Sequence, residues 1–198
     1  MRLVLYLPNY TANDRRMRGK LKNNARANLT IAIPNDILDQ LKNISESRGQ
    51  SVNTKTNQIL AKYLQFYLHV EEKHGIILPH EIWKEIVILV DEKKLTEMLQ
   101  RFGVETAVTL FDHYNIPVTL DNVIKYCFET MMMWSGSCHR ISLHKESSGN
   151  FILVLEHDFG IKWSKALGDA SVSLIKEFVG LSAEYTARSA TVTIKVKT

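Results

Sequence analysis

The chain has 198 residues, 45% apolar and 23% charged, which excludes a disordered or fibrous protein and leaves room for one ordinary domain or two small ones. No run approaches the eighteen or so apolar residues of a membrane helix, the opening MRLVLYLP is too short for a signal-peptide core, and two cysteines, Cys127 and Cys138, give no disulfide framework, so a cytoplasmic protein is expected. The net charge of +4 is uneven: residues 1–34 hold Arg2, Arg15, Arg16, Arg18, Lys20, Lys22 and Arg26 against Asp14 alone, a local +6 that points to a polyanionic partner.

Residues 1–27 read as a basic, flexible arm, since residues 9–27 carry little apolar periodicity and much Asn, Arg and Lys. Residues 28–33 follow as a strand, with Leu29, Ile31 and Ile33 on one face and Asn28, Thr30 and Ala32 on the other. Pro34 ends it. A first helix starts near Asn35, takes Ile37, Leu38, Leu41 and Ile44 as its apolar face, and finds its C-terminal cap in Gly49. A second helix is capped by Asn53 or Thr54 and repeats Ile59, Leu60, Tyr63, Leu64, Tyr67 and Leu68 at helical spacing. Gly75 closes this unit.

Beyond it, Pro79 opens a helix, or a kinked pair, that runs to Phe102 and ends at Gly103. VETAVTLFDHYN is a shorter helix stopped before Pro117. TLDNVIKYCFETMMMW is another, capped by Thr119 and leaving through SGS. CHRISLHKE and FILVLEHD then form a hairpin across SSGN, the second strand apolar on both faces and therefore central. IKWSKALGDASVSLIKEFVG is an amphipathic helix ending at Gly180, and SAEYTAR and ATVTIKV are a last pair of strands. The fold class is α+β. Residues 28–75 make one small domain, and residues 76–198 a helical connector leading into a second α+β domain with a small antiparallel sheet.

As a free monomer the 28–75 unit buries too little surface to offset its chain entropy. A second copy supplies the remedy: two strands pair antiparallel about a twofold axis, and Leu29, Ile31 and Ile33 face a shared helical core. The stretches NLTIAIPNDILDQLKNISESRG and NQILAKYL, within residues 28–70, resemble the ribbon-helix-helix family of DNA-binding proteins. The resemblance implies a ribbon lying in the major groove, with base contacts from Asn28, Thr30 and Ala32 at the three outward strand positions. Their chemistry suits that role, because Asn can make a bidentate contact to adenine while Thr and Ala can meet the thymine methyl. It also implies a DNA phosphate at the start of the second helix, held by Asn53, Thr54, Lys55 and Thr56. Two departures stand out: the turn after Gly49 is longer than in many members, and an Arg-Ser-Glu start to the second helix is missing. The arm adds Arg15, Arg16, Arg18, Lys20, Lys22 and Arg26 as contacts to flanking phosphates or the minor groove.

In the second domain the polar residues to weigh are Cys138, His139, His144, Glu156, His157 and Asp158. A symmetric SSGN turn sets Arg140 opposite His157 and His139 opposite Asp158. No Cys-x-x-Cys or His-x-x-x-His pair occurs, so neither a metal site nor a cofactor is expected; Cys138, His139 and His157 come nearest to a ligand set. No nucleophile elbow, phosphate loop or paired-carboxylate motif appears, and no enzyme is expected. Met131, Met132, Met133 and Trp134, with Cys127 and Phe128, either line an apolar ligand pocket or pack the core. The expected function is a dimeric, sequence-specific DNA-binding transcriptional regulator, a repressor, with double-stranded DNA and a second copy as partners. Its C-terminal domain would sense a small-molecule effector, assemble dimers further, or both. The alternative is an antitoxin-like or adaptor protein acting through protein–protein contacts.

Overall fold

The computed structural model describes residues 3–8, 26–72, 74–147 and 149–197. Arg15, Arg16, Arg18, Lys20 and Lys22 lie outside these ranges. The chain divides into two compact units, Met1–Glu72 and Lys73–Thr198. Among the described residues no helix is long and apolar enough to cross a membrane.

The first unit opens with strand β1 (Leu3–Pro8), which pairs antiparallel with β2 (Arg26–Ile31) so that Leu3 stands opposite Ile31 and Leu5 opposite Leu29. The sequence reading gives Leu3–Pro8 no strand and asks a second copy to complete residues 28–33. In the structure β1 of the same chain takes one edge of β2, and β2 starts and stops two residues earlier. The reason is that LVLYLP is itself a strand-forming run, and closing the connection between the two strands costs little more than closing a shorter loop.

Helix α1 (Asn35–Ser47) begins where the sequence places it, and Gly49 takes the left-handed φ of 61° that ends it. Helix α2 (Val52–Lys62) is capped by Ser51, not by Asn53 or Thr54: the Thr54 amide donates to Ser51 Oγ at 3.1 Å. A serine just before the first helical residue captures that amide sooner than a side chain already inside the turn. The helix loosens to π spacing over Tyr63–Tyr67 and continues as α3 (Leu68–Glu72).

The second unit starts with α4 (His80–Leu89), breaks at Val90, and resumes as α5 (Glu92–His113) with Asp91 as cap. Gly103 does not end a helix, as its position suggests; α5 passes through it. Leu95, Ala107, Leu110 and Phe111 line one buried side of α5, and that burial outweighs the local cost of one glycine. Thr119 caps α6 (Leu120–Val123), which continues with π spacing over Ile124–Met132 into α7 (Met133–Ser135) and stops at Gly136, φ 80°.

Strands β3 (Arg140–Lys145), β4 (Phe151–Glu156), β5 (Ser182–Arg188) and β6 (Thr191–Lys197) form one antiparallel sheet in the order β3-β4-β6-β5. β4 is internal, as its two apolar faces require. Helix α8 (Ile161–Leu174), extended with π spacing to Val179, is buried on almost every side, through Trp163, Ser164, Ala166, Leu167, Gly168, Ala170, Ser171 and Leu174. It touches α5 and also β5 and β6, so it is the middle layer of this unit. The inward side chains Leu153, Leu155, Val192, Ile194 and Val196 close the core against it.

Candidate nucleic-acid interface

Strand β2 with the residues just after it, and the start of α2, are the described elements to which the sequence assigns DNA contact, beside the basic arm. Thr30 and Ala32 are exposed, while Ile31 and Ile33 are half-buried, which is the alternation a one-sided strand shows. Leu29 departs from it, at 40% exposure. The helices show the same incompleteness: Ile37, Ile44, Ile59, Tyr63 and Leu64, which carry their apolar repeat, are each 40–45% exposed. Among residues 29–72, the buried ones are Ser45, Thr56, Phe66 and His69. Three of the four are polar, so these residues present an apolar face in one copy and bury little apolar surface of their own. That is a physical deficit, since a unit this small needs more burial to fold.

The start of α2 presents its candidate residues unequally. The Thr54 side chain is exposed and lies 2.9 Å from Ser51 Oγ. Lys55 is half-buried and carries the positive charge. Thr56 is buried, with its hydroxyl donating to Val52 O at 2.8 Å, so it is turned away from any phosphate. Asn53 is half-buried, its Oδ1 enclosed and without a hydrogen-bond partner. Of the four residues assigned to phosphate, Thr54 is exposed and Lys55 half-buried; sequence reasoning missed Ser51, whose helix-capping pattern is its one sequence signal.

The polar cluster of the second unit is arranged differently from the sequence expectation. Arg140 stands opposite Glu156, not His157, because the hairpin closes between Glu146 and Asn150, whose backbones bond at 2.8 Å. Gly149 takes φ 92° inside that turn, giving a three-residue loop in place of a symmetric four-residue one. The one-residue shift changes which residue stands across from Arg140, while the alternation along β4 leaves His157 on the face of Leu153 and Leu155. Glu156 therefore meets Arg140 at 3.7 Å and His139 at 4.0 Å.

His157 instead turns into the core, 1% exposed. The Phe159 amide donates to its Nδ1 at 3.2 Å, so the ring proton sits on Nε2 and donates to Ser164 Oγ at 2.8 Å. The Ser164 hydroxyl in turn donates to the Arg188 carbonyl. Burial holds the His157 pKa down to about 4, the Asp158 charge opposing that shift and His139 adding to it. A nucleophilic serine needs a histidine that accepts its proton; here the histidine donates, and Ser164 is fully buried. The pair is a structural tie.

Cys127 and Cys138 are buried too, and desolvation pushes both thiols up to about 12, far from a reactive thiolate. Cys138 and His157 are buried while His139 is exposed, so the three do not converge, and among the described residues no group of His, Cys, Asp or Glu side chains is placed to hold a metal ion. Cys127 and Phe128 lie in the core, with Met131 and Met132 packed against it. No protein-family model, curated protein or solved structure matches the chain.

Proposed function

We propose that this protein is a dimeric, sequence-specific DNA-binding regulator of transcription whose N-terminal units interlock through the apolar face of β2, α1 and α2. The observation that carries the reading is that face: Leu29, Ile37, Ile44, Ile59, Tyr63 and Leu64 are all substantially exposed in one copy, and a second copy is the simplest cover for it. The second edge of β2 pairs with no strand among the described residues, and β2 of the partner copy is the strand proposed to pair there. The exposed polar positions Thr30 and Ala32, with Asn28 at the same strand period, then stand where a ribbon reads base edges. The +6 charge of residues 1–34 supplies the attraction to phosphate, with Thr54 and Lys55 placed for a further backbone contact. The C-terminal unit is read as the sensing or assembly part.

Duplex binding by the full chain tests this. Affinity is expected to fall by about a hundredfold or more between about 50 and 200 mM salt. Asn28→Ala with Thr30→Ala should flatten sequence preference while leaving non-specific binding nearly unchanged. Salt-independent binding, or none at all, sinks the reading and leaves an adaptor whose apolar face meets another protein.

A further inference from the structure

We propose that β5 is a second self-association edge: two copies of the chain pair β5 to β5 antiparallel about a twofold axis at Thr186, joining their four-stranded sheets into one. β5 is an edge strand, bonded to β6 on one side. The turn at residues 189–190 sets Arg188 opposite Thr191, so residues 182, 184, 186 and 188 direct their backbone groups toward β6. Residues 183, 185 and 187 direct theirs to the open side, where no backbone partner meets them among the described residues. β5 has neither the lysine nor the proline that commonly blunts such an edge. It is also held rigid. Tyr185 packs on Gly168, and the strand's end is tied down where the Arg188 and Ala190 carbonyls accept from Ser164 and His157.

A twofold axis perpendicular to the sheet keeps every side chain on its own face, so a residue on the axis pairs with itself. With Thr186 there, Tyr185 exchanges backbone hydrogen bonds with Ala187 of the second copy. Glu184 then stands opposite the second copy's Arg188, and this opposite-charge pair occurs twice. Both side chains are exposed on the outer face. Arg188 has no acidic partner in its own chain among the described residues, and Glu184 has only an exposed 3.4 Å contact with Lys197. With Tyr185 on the axis, Arg188 would meet Ser182 and no opposite charges would pair. The other edge, β3, is less suited. Centred on Ser142 it sets Arg140 against His144; centred on Leu143 it needs Arg140 and Glu146, which Glu156 and Lys195 already hold at 3.7 and 3.4 Å. β5 is the self-complementary edge, whether or not the N-terminal unit binds DNA.

The full-length chain tests it through Thr186→Cys. Residues facing each other in a non-hydrogen-bonded pair have Cβ atoms about 4.5–5.5 Å apart, close enough for a disulfide after a small adjustment. Mild oxidation should give a covalent dimer on a non-reducing gel, while Ser142→Cys on β3 should not; Cys127 and Cys138 are buried and stay silent. Separately, sedimentation of Arg188→Glu should show self-association through this edge weakened at least about tenfold. The swap Glu184→Arg with Arg188→Glu should restore it. A folded Thr186→Cys protein that does not cross-link, cross-linking at Ser142→Cys to the same extent, or a charge swap that fails to restore association overturns the proposal.

Discussion

Gly168 of α8 lies against the ring of Tyr185, and a Cβ added there would stand 2.3 Å from the ring carbon Cδ2. The close contacts run back to Cγ, the fixed end of the ring, so Tyr185 cannot simply swing away. Gly168→Ala should therefore lower stability by about 1–3 kcal/mol even after the helix-propensity gain, read as a lower urea midpoint. Gly103 of α5 is the opposite case: nothing lies within 4 Å of an added Cβ and its φ is helical. Gly103→Ala should raise stability by about 0.5–1 kcal/mol. His157 adds a pH dependence. Its folded pKa of about 4 is below its ordinary 6.5, so the unfolded chain takes up the proton first as pH falls. The contribution is complete above about pH 6.5 and is lost as pH drops toward 4, by up to about 3 kcal/mol. Denaturant titrations at stepped pH should show this slope, and His157→Gln should flatten it; an unchanged slope would place the titrating group elsewhere.

At the scale of elements, α4 shows how one helix is docked. Lys162 of α8 donates to the carbonyls of Ile88 and Val90 at 2.6 and 2.7 Å, satisfying the α4 C-terminus with a positive charge. His80 and Lys84 meet Asp158 at 2.9 and 3.2 Å, and His80 above all holds that carboxylate below its usual range. Trp83 packs edge-on to Trp163, their centroids 5.9 Å apart. The polar contacts at the N-terminal end are half-exposed, so the Lys162 cap and the tryptophan pair carry most of the attachment. Lys162→Met should cost about 1–2 kcal/mol and speed amide hydrogen exchange in α4 more than in α5; equal exchange in both helices would argue against a capping role. Periodicity exposed α4 and α5 in the sequence, but not the length of α5. A glycine stops a helix only where the chain turns left-handed, as at Gly49, Gly136 and Gly180, and burial along α5 kept Gly103 helical.

For the whole molecule, the division at Glu72 and Lys73 and the exposure of Ile76, Ile77 and Leu78 bear on how it is cut. Residues 75–79 have neither helix nor strand, so brief treatment with proteinase K, a protease of broad specificity, should cleave between Gly75 and Leu78 and leave a resistant C-terminal fragment beginning close to α4. First cuts inside α8 or the sheet would contradict the two-unit description. The two units also divide how the surface is used. The second has a full core built on Phe128, Leu153 and Trp163, whereas the first leaves its apolar stripe exposed. The proposed dimer and the proposed β5 pairing are thus separate associations, one covering apolar surface and the other completing hydrogen bonds at an edge.

Amphipathic periods of 2 and 3.6 residues, together with proline and glycine punctuation, were enough to locate β2, α1, the helices of the second unit and all four strands of its sheet, because those signals are local. The same alternation marked Thr30 and Ala32 as outward positions. Three things depended on the folded chain. Pairing of β1 with β2 joins segments far apart in sequence, and no local pattern names a partner. The hairpin register turned on the left-handed Gly149, a single-residue choice that set Glu156 opposite Arg140, while His157 follows Leu153 and Leu155 on the inward face. The wedge of Tyr185 on Gly168 and the tie of His157 through Ser164 to Arg188 unite three elements at atomic distances. Sequence period assigns a residue to a face; which neighbour meets it there is decided by close packing in three dimensions.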